Sequence, residues 1–476
     1  MKNVLVISEN FTRGGLETQI DTFYQELKNK VNFTFIFGTY NGEWDFDDSK
    51  IYTGIKFDES SSINDFKKTV EKIVEIINDN KIDIIHVHPY FLSIPAVFAA
   101  QITKIPICYT YHGFGSITFP GTINIQTIFT YSLNEIFSKV FSVYNDIASD
   151  FNKHFRNVET VFLPNPIDVS RFKKATISYK SVWAMTCRIS RDKIDSICDI
   201  MSSLDELGIN ELHLYGSGEE ENYIKDFIKK NKLSDRVFMR GYVSDVNKAL
   251  KKGYTGVIGM GRSASEAIAM QLPVMLVGYG KNCGIIDKNT YKNAMNNNFA
   301  PIFMKSVDNE FIKKQVLEIL ENDYHSDIYS SFLEDCSSKN VSSKYFKEMC
   351  KCDAKVRSNF IYFYNEIKKI DSDECFSTSD IIFNLSYIYL KMQSLDLDLN
   401  NTMVYYRNIL QKNNDIDIKI YQKNKEIDMR INEIDKKINE INNSTIDNLS
   451  RKINIKFMTV NSFRIIKEKI KKLFKK

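Results

Sequence analysis

A chain of 476 residues is too long for one hydrophobic core, and 43% hydrophobic against 26% charged residues is the composition of a soluble globular protein. The formal net charge of +4 is unevenly spread: residues 456–476 hold eight Lys/Arg and one Glu, which leaves 56 basic and 59 acidic residues, a net of −3, in the rest. A mildly acidic body excludes general nucleic-acid binding, the eight scattered cysteines exclude a zinc ribbon or a disulfide framework, and no window offers the roughly 18 uninterrupted apolar residues of a spanning helix.

The opening "MKNVLVIS" reads as a first β-strand, because its apolar run is too short for a signal peptide. Short apolar runs then alternate with longer mixed segments. "NVLVIS", "FTFIFG", "DIIHVH", "PICYTYHG" and "VFSVYN" have the unbroken apolar character of buried parallel strands, with helix-like stretches at 16–30 and 66–78. After "LPNPIDVSRF" the alternation resumes with "SVWAMTCRIS", "ELHLYGSG", "RVFMRGYV", "YTGVIGMG" and "PVMLVGYG". The expected fold class is therefore α/β, with two facing Rossmann-like doubly wound domains at 1–165 and 166–370. Ligands of such folds bind beyond the carboxyl ends of the strands, so both sets of ends are expected to open onto one cleft.

From residue 371 onward the chain reads as a helical extension. Ile420, Ile427, Ile431, Ile434, Ile438 and Ile441 fall at alternating spacings of three and four, a coiled-coil seam of about three heptads that offers a route to a homo-oligomer. Phe463, Ile466, Ile470, Leu473 and Phe474 then share one face of a lysine-rich helix. That pattern suits the surface of an anionic membrane, and packing against neighbouring helices is the alternative. Residues 371–414 carry no functional signal beyond a helical spacer.

Several strand-to-helix corners carry chemistry. In "VIGMGRSASEAIAMQLPVMLVGYG", residues 257–280, Gly259 and Gly261 allow close backbone approach to a phosphate, and the helix that follows presents free N–H groups and a positive dipole end. Arg262 adds charge there, and Glu266, one turn on, is placed either to accept from a diol or merely to complement the dipole. "CRISRDKID" sets Arg188 and Lys193 at another such corner, as a diphosphate clamp or as surface cations. "LYGSGEEE" places Gly216 at a third, and "TRGGLETQ" places Gly14 and Gly15 after the first strand. His112 ends "YTYHG", while His86 and His88 of "HVH" point to one face of their strand. Zinc is weighed for these histidines and set aside, since no partner carboxylate or cysteine has suitable spacing, and no metal is expected.

The succession GGLE, HVH, YHG, NPID, R-x4-K, GSG, RGYVSDV and SEAIAM…PV resembles the retaining GT-B glycosyltransferases of the "glycosyl transferases group 1" family over about residues 1–284. The resemblance implies a donor nucleotide sugar held by the second half and an acceptor held by the first. By position, Arg188 and Lys193 match the pair gripping the donor diphosphate, Glu266 the carboxylate on the ribose, and Gly15 the glycine loop facing the diphosphate. His112 matches the histidine near the reacting sugar, and the backbone around Tyr242 and Val243 the segment pairing with the base. The family usually carries another glutamate eight positions before Glu266. Here that position is Ile258, so either the donor sugar differs or Arg262 takes part of the role.

These implications add up to a metal-independent enzyme without cofactor, at the inner face of the cell membrane through its 456–476 tail. It would move a sugar, from a UDP-sugar by preference, to a lipid-linked or cell-surface saccharide acceptor. A sugar-nucleotide epimerase of the same architecture and a non-catalytic nucleotide-binding scaffold remain alternatives at this stage.

Overall fold

The computed structural model describes residues 1–369 except 13, 59, 114–115, 117–128, 130–131, 156, 244, 252 and 323–326. The coiled coil expected at 420–441 and the basic tail lie outside the described residues.

The apolar run near the N-terminus forms β1 (Lys2–Phe11), in which Val4, Leu5, Val6 and Ile7 are all buried. Burial of consecutive rather than alternate residues means a strand covered on both faces, as a parallel sheet with helices on each side requires. Six further strands, β2 (Val31–Tyr40), β3 (Ile51–Thr53), β4 (Ile84–Val87), β5 (Ile107–Tyr111), β6 (Lys139–Ser142) and β7 (Glu159–Phe162), complete a sheet ordered β3-β2-β1-β4-β5-β6-β7. The second sheet holds β8 (Val182–Thr186), β9 (Glu211–Tyr215), β10 (Val237–Gly241), β11 (Gly256–Gly259), β12 (Val274–Gly278) and β13 (Lys281–Ile285), ordered β10-β9-β8-β11-β12-β13. All ladders are parallel except that of β13, which runs antiparallel to β12.

In each sheet the order reverses between two strands, at β1/β4 and at β8/β11. A crevice opens beyond the carboxyl ends of such a pair, because the connections leave it to opposite sides. The expected functional residues follow these ends: Gly14 and Gly15 after β1, His88 after β4, His112 after β5, Arg188 after β8, and Gly261 after β11. Three strands escaped the sequence reading. β3 has only three residues, β7 is amphipathic, and β13 begins with Lys281 and Asn282.

The last described helices depart from the expected boundary at residue 370. Residues 338–368 fall within the expected second half, 166–370, but they pack on the first half. Tyr345 of the helix Ser338–Met349 stacks on Phe23 at 4.2 Å and an interplanar angle of 10°. Phe360 of the helix Ser358–Lys368 lies 5.0 Å from Phe98, and Gln101 bonds the backbone of Lys355 and Arg357. Burying these rings against a sheet already lined by aromatics outweighs continuity with the nearer half. The chain therefore crosses between the sheets twice, and the two crossings touch. The Ile167 N–H donates to the Cys336 carbonyl, and the Ser338 N–H to the Ile167 carbonyl, both at 2.8 Å.

Candidate functional site

The strand ends of the second sheet enclose a cleft of about 30 Å³ lined by Thr186, Lys193, Ser196, Gly259, Met260 and Ser263 among others. Lys193 is the residue before the helix Ile194–Ser202, so its ammonium and the helix's free N–H groups share one corner. Ser263 Oγ donates to the Thr186 carbonyl at 2.8 Å, which fixes the corner after β11 against the end of β8. Thr186 Oγ1 is buried and has no hydrogen-bond partner among the described residues. Arg188, two residues beyond β8, has a side chain 70% exposed and meets Asp192 only at 4.0 Å. A guanidinium held so loosely keeps its donors for a ligand.

Two of the glycine motifs differ in purpose. A Cβ on Gly216 would lie 1.8 Å from the Cys187 carbonyl oxygen, and one on Gly218 would lie 2.2 Å from that of Ile189. These glycines let the loops after β8 and β9 lie backbone to backbone, with the Ile189 N–H donating to Ser217 O at 3.0 Å. Gly216 thus acts on the loop carrying Arg188. Gly261, at φ +57°, adopts a conformation that side chains avoid, faces open space, and gives its N–H to the Phe299 carbonyl at 2.8 Å. Of the segment matched to base pairing, Tyr242 is 56% exposed and Val243 packs partly against the core.

Arg262 and Glu266 meet on the first turns of the helix Arg262–Ala269, with Nε donating to Oε1 at 2.9 Å. Burial pushes the Glu266 carboxyl above its ordinary pKa, and the neighbouring Arg262 and Arg171 pull against that shift. Burial likewise lowers the Arg262 guanidinium, while Glu266 and Asp21 of the first half oppose the change. Glu266 therefore has one oxygen engaged within its own helix. Ile258 is 0% exposed and sits in register between Met185 and Met275, inside the core beneath the sheet. Its side chain packs in the same cluster as Met185, Ile197 and Val277, which also line the cleft, so the position usual for a sugar-binding glutamate is here an apolar packing position.

On the first sheet, Gly14 precedes the helix Gly15–Leu27, and a Cβ on it would lie 2.6 Å from Glu17 Oε2. Gly15 faces open space. His86 bonds Thr110 Oγ1 through Nε2 at 2.7 Å and the Tyr345 hydroxyl through Nδ1. His88 Nδ1 lies 2.8 Å from His112 Nε2. Burial lowers all three histidines, His86 and His112 to about 3, so each is neutral near pH 7.

Part of the chain matches a known family, and its fold matches solved structures. Residues 13–171 match the profile of Glycosyltransferase Family 4. The poly(glycerol-phosphate) α-glucosyltransferase of Bacillus subtilis (strain 168) is 25% identical over 161 residues, which cover 30% of this chain and 24% of that protein, so the chain spans about a quarter of the curated relative's length. Among solved structures, Anabaena HepE in complex with UDP superposes with a TM-score of 0.55 at 14% identity, over 74% of this chain and 100% of that one. A glycosyltransferase from Rickettsia africae ESF-5 superposes with 0.55 at 17% identity, over 78% and 99%. The fold is GT-B.

Within this GT-B frame, Arg188, Lys193, Gly259, Gly261, Arg262 and Glu266 flank the β8/β11 switch point, while Gly14, Gly15 and His112 flank the strand ends of the first sheet. One connecting residue went unread. Asn165 of "NPID" accepts from Gln19 Nε2 at 3.0 Å and donates to Asn298 Oδ1 at 2.8 Å, which ties the first helix to the second half. Thr186 was also missed. A hydroxyl at the last position of an apolar strand was its signal, since such a residue sits where the crevice begins. Among the described residues no helix is long and apolar enough to cross a membrane.

Proposed function

We propose that this chain is a retaining glycosyltransferase of the group 1 type. It moves a sugar from a nucleoside-diphosphate donor, a UDP-sugar by preference, to a hydroxyl of a lipid-linked or cell-surface polysaccharide precursor. The observation carrying this reading is the cluster of Lys193, Thr186 and Ser263 around one cleft at the ends of β8 and β11, with Arg188 exposed just beyond. A diphosphate leaving group develops charge as its bond to the sugar breaks, and preorganised cations and helix N–H groups stabilise that charge. Lys193 supplies a cation at the helix start and the exposed Arg188 a second that settles on the diphosphate, in place of a divalent cation. His112, at the end of β5, faces the reacting sugar. The acceptor oxygen attacks from the side the diphosphate leaves, and closure of the two halves excludes water. The UDP bound to HepE and the phosphate-linked polyol named for the Bacillus relative support the choice of donor and acceptor class.

Calorimetry with UDP, GDP and ADP tests the reading. UDP is expected to bind best, with affinity indifferent to magnesium and reduced roughly 10- to 100-fold by Arg188→Ala, the range of one lost charged hydrogen bond. Binding of none would overturn it, and conversion of a nucleotide sugar without acceptor would replace it with epimerisation. The membrane part is tested separately. Deleting residues 463–476 should move the protein from the membrane fraction to the soluble one, and unchanged fractionation would end the anchor proposal.

A further inference from the structure

His88 follows β4 directly and is 0% exposed. Its backbone N–H donates to the Ile7 carbonyl at 2.9 Å, and its ring lies 4.3 Å from that of His86, so its position is set by the sheet itself. Its Nδ1 meets His112 Nε2 at 2.8 Å, while its own Nε2 is buried with no hydrogen-bond partner among the described residues. His112 is held in turn by its backbone N–H, which donates to Ser116 Oγ at 2.9 Å.

Two neutral imidazoles sharing one hydrogen bond have two arrangements. If His112 Nε2–H donates, His88 must accept on Nδ1 and carry its proton on Nε2, as a buried N–H with no acceptor. If His88 Nδ1–H donates, the orphan is a bare lone pair, and His112 must carry its proton on Nδ1. Orphaned buried N–H groups are rarer than under-satisfied acceptors, and a lost donor partner costs roughly 1–3 kcal/mol. The second arrangement is favoured. Burial keeps both rings neutral, so no charged form competes.

We propose that His88 is a positioning residue that donates from Nδ1 to His112 Nε2 and so fixes His112 as the Nδ1–H tautomer. His112 then offers a neutral N–H, a hydrogen-bond donor and not a base, to the hydroxyl groups of the sugar in the cleft. This rests on the reading that places His112 beside the reacting sugar. His86 cannot take the role, because both its ring nitrogens are bonded to Thr110 and Tyr345.

The test is the long-range ¹⁵N–¹H spectrum of the full chain labelled at its six histidines, near pH 7, with His112 assigned from His112→Gln. His112 is expected to show the Nδ1–H pattern in the wild type, to change tautomer in His88→Phe, and to keep it in His88→Asn, whose amide can donate from the place of Nδ1. With a UDP-sugar the Phe variant should lose 10- to 100-fold in kcat with little change in donor KM, and the Asn variant should regain most of it. A wild-type His112 protonated on Nε2 overturns the proposal even if the Phe variant fails to fold, and so does a Phe variant with an unmoved tautomer. The expected spectra without any sugar transfer would uphold His88 and overturn the transferase reading instead.

Discussion

At the ends of β4 and β5 the polar groups include the histidines His86, His88 and His112, with His86 set against Phe141 and Tyr345, whereas beyond β8 and β11 they include Arg188, Lys193, Arg262 and Glu266. The first set is neutral and bonded to itself, through His86, Thr110 and Tyr345 and through the His88–His112 pair. The second set is charged, and its cations are at least partly open. Neutral donors can be buried at little cost when paired, but a charge cannot, so the two halves suit different ligand chemistry. Sugar hydroxyls are recognised by fixed neutral groups in a dry pocket, and phosphates by cations and helix ends that remain reachable.

The comparison would break most visibly at Ile258. Restoring a glutamate there, Ile258→Glu, should bury an unpaired carboxylate between Met185 and Met275 and cost about 3–5 kcal/mol of stability, read as a lower urea midpoint. An unchanged midpoint would mean the position reaches the cleft, and that the second half carries one more polar site than its core packing indicates. A smaller effect sharpens the contrast between glycine corners. Gly216→Ala should cost about 1–3 kcal/mol, because its Cβ would overlap the Cys187 carbonyl. Gly15→Ala, facing open space at a helix start, should shift stability by less than about 1 kcal/mol and in the favourable direction. Equal losses of melting temperature at the two positions would remove the distinction.

Much of this was legible in the sequence because it rests on local pattern. Runs such as "NVLVIS" and "DIIHVH" announce strands buried on both faces, and the corners after them identify the strand ends where ligands gather. What was not legible is tertiary. Nothing near Tyr345 in the sequence says that it stacks on Phe23, more than three hundred positions earlier, and carries its helix back to the first sheet. Nor does "GSG" say whether its glycines approach a phosphate or another backbone; only the Cys187 and Ile189 carbonyls decide that. Glu266 was readable as a carboxylate on a first turn, but its bond to Arg262 depends on rotamers that spacing leaves open.

The two crossings between the sheets lie side by side, bonded at Ile167. A single connecting segment would act as a swivel and let one half turn freely about the other. Two plies fixed to each other resist torsion and leave bending as the soft motion, as in a strap hinge. Bending about such a pair is confined to one axis, the kind of motion that the closure proposed above would use. Beside these crossings, Gln19, Asn165 and Asn298 are joined in series by two hydrogen bonds, a second tie between the halves.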